Sequence, residues 1–279
     1  GKIILSKKLF VDIPQYEKYS GLLENFKQVR ILPNYAGYRI EVIYEVEDIE
    51  IPKSKEEKIA SMDLGIDNLA TLVSEDFTYL FSGKFIKSYN RLFNKKLAKL
   101  NSIKDLQKIK GTTKRIKKLY YERDLYIEDV FHKISRRIVN LLTNSGITKL
   151  IVGYNKGWKQ EVNMGKKNNQ KFTQIPFARL ISYLEYKCEL VGIEIVTHEE
   201  SYTSKCDSLA FEAIGKHENY LGKRKKRGLY QSSTGKLINA DVNGALNIMR
   251  KVVDDSSNYV RRIIDRGLLF NPVRIKSVF

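Results

Sequence analysis

With 279 residues, 42% of them hydrophobic, the chain can hold one large domain or two smaller ones and is too apolar for a disordered tail. Its 50 Lys and Arg against 32 Asp and Glu leave a formal net charge of +18, which points to nucleic acid as partner before a membrane surface. Two cysteines, Cys188 and Cys206, exclude a disulfide framework and suit the cytoplasm, and no apolar run is long enough to span a bilayer.

Residues 1–57 read as β-rich. The first eight residues are too short an apolar stretch for a signal peptide, and the missing initiator Met is what a fragment would show. Gln28 to Pro33 and Tyr38 to Val46 alternate apolar and polar residues around a hairpin-like turn, Asn34-Tyr35-Ala36-Gly37. Pro52 to Glu57 is a polar linker. A second unit, 58–253, opens as an antiparallel meander: a strand from Lys58 to Asp63, a turn over Leu64 to Asn68, then strands Ala70 to Ser74 and Phe77 to Phe81.

From about 84 to 145 the period is helical, with a break at Gly111-Thr112-Thr113, so the chain inserts a helical hairpin. Residues 84–118 carry 13 basic side chains and one acid, Asp105, too one-sided for an internal salt-bridge lattice. A backbone-tracking surface follows, with Lys95, Lys96, Lys99, Lys114, Arg115 and Lys118 as nucleic-acid contacts; a merely solvated face is the bland alternative. Lys149 to Tyr154 is a short buried strand, Pro176 to Gly192 a helix and Ile193 to Thr197 a strand. Between the first two lies a basic loop with Trp158, Lys166 and Lys167; Trp158 could stack on a base or anchor a core. An irregular insert at about 203–236 holds the basic run Lys223-Arg224-Lys225-Lys226-Arg227. Ile238 to Arg250 reads as an amphipathic helix, and 254–279 as a C-terminal tail.

Asp241 shares its helix face with Ala245, Ile248 and Val252, all apolar. A carboxylate beside such a stripe is costly unless a cation or a hydrogen bond meets it. Asp63 ends a buried strand, and Glu199 and Glu200 follow another. Carboxylates from two strand ends and one helix can bind one or two Mg²⁺ or Mn²⁺ ions through oxygen, and such ions hold the attacking and leaving oxygens of a phosphodiester. Each acid alone has a plainer reading: Asp63 as a turn cap, the glutamates as solvated, Asp241 as an N-cap or dipole partner.

The stretches Asp63 to Thr71, Tyr186-Lys187-Cys188, Ser201 to Cys206 and Asn239 to Ile248, in this order and spacing over 58–253, resemble the TnpB/OrfB family of transposon-encoded RNA-guided nucleases. The resemblance implies an α/β fold: an RNase H-like (RuvC) mixed sheet with flanking helices, preceded by a β-rich, wedge-like segment at 1–57. It implies Asp63 and Asp241 as first and last metal ligands, Mg²⁺ or Mn²⁺ as cofactor, and guide RNA and target DNA as partners of an endonuclease; a monomer is the favoured state, which the sequence does not fix.

Two departures stand out. The family's middle Glu belongs at the end of the strand after Lys149, where this chain has Gly153; Glu200, or else Glu199, is the substitute. The family's zinc ribbon is reduced to Cys206 with His217 nearby, so no structural zinc is expected. Without a reaching Glu, the protein would be a nuclease-inactive RNA-guided DNA-binding regulator. A resolvase on the same fold, acting without guide RNA, is the other alternative.

Overall fold

The computed structural model describes residues 2–7, 9–12, 17, 20–21, 24–46, 57–155, 174–255 and 258–276. In chain order the elements are β1 (Lys2–Ser6), β2 (Leu9–Asp12), β3 (Phe26–Asn34), β4 (Gly37–Tyr44), β5 (Ile59–Leu64), β6 (Asn68–Ser74), β7 (Thr78–Ser82), α1 (Lys84–Leu106), α2 (Lys114–Asn144), β8 (Lys149–Gly153), α3 (Phe177–Glu189), β9 (Glu194–His198), β10 (Lys223–Lys226), β11 (Leu229–Gln231), β12 (Leu237–Asn239), α4 (Ala240–Arg250), α5 (Tyr259–Asp265) and β13 (Val273–Ile275). They fall into two units, residues 1–49 with 100–122, and residues 50–99 with 123–279.

In the first unit β1 pairs with β2, and β3 with β4, both antiparallel. The β3–β4 register closes on Asn34 opposite Gly37, so Tyr35 and Ala36 form a two-residue turn. The Asn34 side-chain oxygen accepts the Tyr35 N–H at 2.8 Å, a local bond that short polar side chains favour in turns.

The second unit is built on a six-stranded sheet of order β13-β7-β6-β5-β8-β9. β5, β6 and β7 form the antiparallel meander expected from the sequence, while β8 and β9 add parallel to β5 and to one another. Alternation along β5 decides what lies on each side. Ala60, Met62 and Leu64 join Phe131, Ile134 and Ile138 of α2 and Leu180 and Leu184 of α3 in one core. Ile59 faces the other way and joins Ile151 with Ala245, Ile248 and Met249 of α4 and Val260 and Ile263 of α5.

The tail expected at 254–279 is more structured than its sequence suggests. α5 packs in the second core, and β13 pairs parallel with β7 as an edge strand of the main sheet. The insert at 203–236 likewise contributes β10 and β11 to an antiparallel ribbon that β12 completes just after it. α4 ends at Arg250, so Val252 lies beyond the helix. No helix among the described residues is long and apolar enough to cross a membrane.

Candidate metal centre

Asp63 stands at the end of β5, on the face turned toward α4. The hydroxyl of Ser61, two residues earlier on the same face, donates to the Ala245 carbonyl at 2.7 Å. One helical position away, Gly244 leaves room for the carboxylate: a β-carbon built there would stand 3.3 Å from Asp63 Oδ2. A glycine inside a helix costs about 1 kcal/mol relative to alanine, and here it is what lets helix backbone and acid approach.

Asp241 occupies the first turn of α4. The capping task falls to Asn239, whose side-chain oxygen accepts the N–H groups of Asp241 at 2.9 Å and Val242 at 3.3 Å. The Asp241 carboxylate is thereby released from capping, while the positive end of the helix dipole still favours its charge. Its Oδ2 accepts from the Asn68 side-chain amide at 2.7 Å. Asn68 Oδ1 in turn accepts from Arg274 of β13 at 2.9 Å. A guanidinium only donates, so Arg274 obliges the amide oxygen to face it and the NH₂ to face Asp241. Sequence reasoning missed both residues; a buried Asn at the start of an apolar strand was the available signal.

Glu200 follows β9. A β-carbon built on Gly153, at the end of neighbouring β8, would stand 2.8 Å from Glu200 Oε2 and 2.4 Å from Ile248 Cδ1. The Glu200 carboxylate therefore fills the space where a side chain on residue 153 would begin. Its loop is held at several points. The Glu200 N–H donates to Asn155 Oδ1 at 2.9 Å, and its carbonyl accepts from the Thr203 hydroxyl at 2.8 Å. Asn247 of α4 pins the loop by donating to the Thr203 carbonyl at 2.8 Å. Glu199 is engaged elsewhere: one oxygen accepts from Ser201, and the other pairs with Lys251 at 3.0 Å.

The electrostatics agree with this grouping. Burial holds the Asp63 carboxyl well above the usual carboxylate range, and the charges of Glu200 and Asp241 push it further, against the opposing pull of Arg224. Burial, then the charge of Glu199, raises Glu200 to about 7, with Lys251 opposing. Glu200 Oε2 is fully enclosed and has no hydrogen-bond partner among the described residues. Acids that repel one another, with one oxygen unmet, are what a hard cation would satisfy through oxygen ligands. Among the described residues no three acidic, imidazole or thiol side chains stand as a group that could hold a metal ion. The carboxylate oxygens of Asp63, Glu200 and Asp241 are nonetheless donors of the kind that Mg²⁺ or Mn²⁺ takes.

The basic run forms strand β10, with Lys223, Arg224, Lys225 and Lys226 all exposed. Arg224 lies within electrostatic reach of Asp63, and Arg227 pairs with Asp67 at 2.5 Å, beside Lys87 at 2.6 Å. This edge of the ribbon therefore borders the acidic centre. Lys95, Lys96 and Lys99 are exposed on α1, and Lys114, Arg115 and Lys118 on α2. Trp158, Lys166 and Lys167 lie outside the described residues.

Within the insert at 203–236 a carboxylate holds two segments together. Asp207, fully buried, accepts from Leu209 N–H at 3.2 Å, Ala210 N–H at 3.4 Å, Ser232 hydroxyl at 2.8 Å, and Ser233 N–H and hydroxyl at 2.7 and 3.0 Å. Glu212 bridges Asp207 N–H and Leu221 N–H. Cys206 is buried with its thiol toward the Gly215 carbonyl, and His217 meets the Ala213 carbonyl. Cys188 packs in the core, where burial pushes its thiol up to about 12.

Residues 41–159 match the family OrfB_IS605, described as "Probable transposase", and residues 177–248 match the Cas12f1-like TNB domain. The chain is 27% identical over 230 residues to the TnpB-like protein ORF457 of Acidianus two-tailed virus, covering 78% of this chain and 47% of that protein. It is 26% identical over 230 residues to the CRISPR-associated endodeoxyribonuclease Cas12f2 of Micrarchaeota archaeon (strain CG1_02_47_40), covering 78% of this chain and 41% of that one. The chain thus spans about half the length of the curated relatives it matches. Its fold is similar to the protein in a Cas12f1–sgRNA–target DNA complex solved by cryo-electron microscopy, with TM-score 0.51 and 18% identity over 79% of this chain and 55% of that chain.

Proposed function

This chain belongs to the TnpB/Cas12f family, and from that premise we propose that it is a metal-dependent, RNA-guided DNA endonuclease whose acids are Asp63, Glu200 and Asp241. One observation carries the reading: Glu200 fills the space beside Gly153, with an enclosed oxygen that no hydrogen-bond donor meets among the described residues. A relocated Glu supports catalysis, whereas a solvated pair of glutamates would have favoured a silent binder.

A bound Mg²⁺ or Mn²⁺ would stabilise the charge on the attacking and leaving oxygens of an in-line phosphodiester displacement. The chain's own residues prepare for it. Gly244 admits Asp63 against α4. Arg274 and Asn68 orient Asp241. Asn155, Thr203 and Asn247 fix the loop that carries Glu200. The exposed cations of β10 beside the centre suit a phosphate backbone, while base pairing with a guide would supply sequence specificity.

The test is cleavage of target DNA by the protein purified with its co-expressed RNA, in Mg²⁺ or Mn²⁺. Cutting that disappears in both Asp63→Ala and Glu200→Ala supports the proposal. RNA-dependent DNA binding without cutting would replace it with a silent regulator. Cutting that needs no RNA would replace it with a resolvase-like enzyme.

A further inference from the structure

The tip of the β3–β4 hairpin carries chemistry that the acidic centre does not use. Tyr35 and Tyr38 are 50% and 75% exposed, close together at one turn. Tyr35 is already fixed, stacked on Tyr120 with ring centroids 5.3 Å apart and planes 22° from parallel. Both tyrosines line an open cleft of about 510 Å³ whose far wall is Lys114 and Lys117. Lys114 also lines a second cleft, of about 400 Å³, with Lys104 and Arg115 on its rim. All these residues belong to the first unit.

An aromatic face beside two ammonium groups is matched by a ligand that is a flat ring at one end and an anion at the other. We propose that this cleft binds an unpaired nucleotide of a single-stranded nucleic acid, its base stacked on Tyr38 and its phosphates met by Lys114 and Lys117. The reasons are physical. Base stacking on an aromatic ring is worth about 1–3 kcal/mol per base and needs no particular sequence. A duplex keeps its bases stacked on one another and cannot offer that face. The pre-stacked Tyr35 lowers the ordering cost of the wall against which the nucleotide rests. Lys114, common to both clefts, would let the strand pass from one to the other.

Single-stranded RNA and single-stranded DNA share this chemistry, and the experiment separates them. Labelled 12-mers of RNA, of DNA and of duplex DNA are titrated against the whole chain by fluorescence anisotropy. Tyr38→Ala should weaken single-strand binding about tenfold and leave duplex binding within twofold. Tyr38→Phe should restore it, since the ring face is kept. Lys117→Ala should lower the salt slope for single strands by about 0.7. A 5-iodouracil strand should crosslink within 33–38. Loss confined to the RNA arm or to the DNA arm identifies the source. Equal loss on duplex DNA, no loss in Tyr38→Ala, equal competition by polyglutamate, or crosslinks only elsewhere would each overturn the proposal. None of these readouts depends on cleavage, so they stand or fall apart from the endonuclease reading.

Discussion

Glu200 Oε2 lies 2.8 Å from where a β-carbon on Gly153 would be, so two positions far apart in sequence compete for one space. Glu200→Gln should therefore cut cleavage by at least about a hundredfold, since even groups that only orient a metal's ligands cost up to that much when changed. Glu199→Gln should stay within about twofold, because its carboxylate pairs with Lys251 and Ser201 instead. Single-turnover cleavage rates check both; equal losses would mean the two glutamates act together.

The same geometry makes Gly153 intolerant of a side chain. Gly153→Ala would set its methyl against Ile248 Cδ1 at 2.4 Å and Glu200 Oε2 at 2.8 Å. Overpacking of this kind costs about 1–3 kcal/mol. Thermal unfolding should show a lower Tm, and pairing the change with Ile248→Val should recover part of it. An unchanged Tm in Gly153→Ala would contradict the close approach.

Without metal, stability should fall as pH rises. Glu200 is raised from 4.5 to about 7, by burial and then by the charge of Glu199. Between those values the folded state binds the extra proton, so the stability present below about 4.5 is lost as pH climbs through about 7. At about 1.36 kcal/mol per pKa unit the loss is up to about 3 kcal/mol, less whatever solvent screens at this half-buried group. Denaturant unfolding in EDTA from pH 4.5 to 8 should show it, and Glu200→Gln should flatten the profile. Identical profiles in both proteins would count against the buried, unmet carboxylate.

Asn68→Ala should loosen Asp241 and weaken Mn²⁺ binding about 10–100-fold, the usual loss for a group that orients a metal ligand. Arg274→Ala should give a smaller loss in the same direction, since it acts through Asn68. Calorimetric titration with Mn²⁺ measures this without cleavage. If Asn68→Ala binds as tightly as the parent, the Arg274–Asn68–Asp241 chain has no bearing on the ion.

Asp207→Ala should destabilise the ribbon by about 3 kcal/mol, because it orphans several buried donors at once. Asp207→Asn, which keeps one acceptor oxygen, should cost less. Exposure to a strong zinc chelator should leave Tm unchanged. A Tm that drops with chelation would point to a metal holding this region.

Most of the fold is legible in the linear chain, because alternation and helical period are local. The meander over β5 to β7, the break at Gly111 between α1 and α2, and the hairpin turn at Tyr35 and Ala36 all fall where the residue pattern puts them. β13 is not legible: Val273-Arg274-Ile275 is too short a run to tell a strand from a turn, and only pairing with β7 makes it one. The basic run at 223–226 hides its strand for a related reason, since four cations in a row mask any alternation.

By itself, then, the sequence determined the order of the longer strands and helices from β5 to α4, the excess of cations and which acids sit at strand ends, since composition and local period express them directly. Only the tertiary structure set Glu200 beside Gly153 and Glu199 against Lys251, freed Asp241 from capping through Asn239, and brought Arg274 to Asn68. Those outcomes depend on which side chains share a few ångströms of space after distant segments pack, and nothing local in the chain encodes that distance.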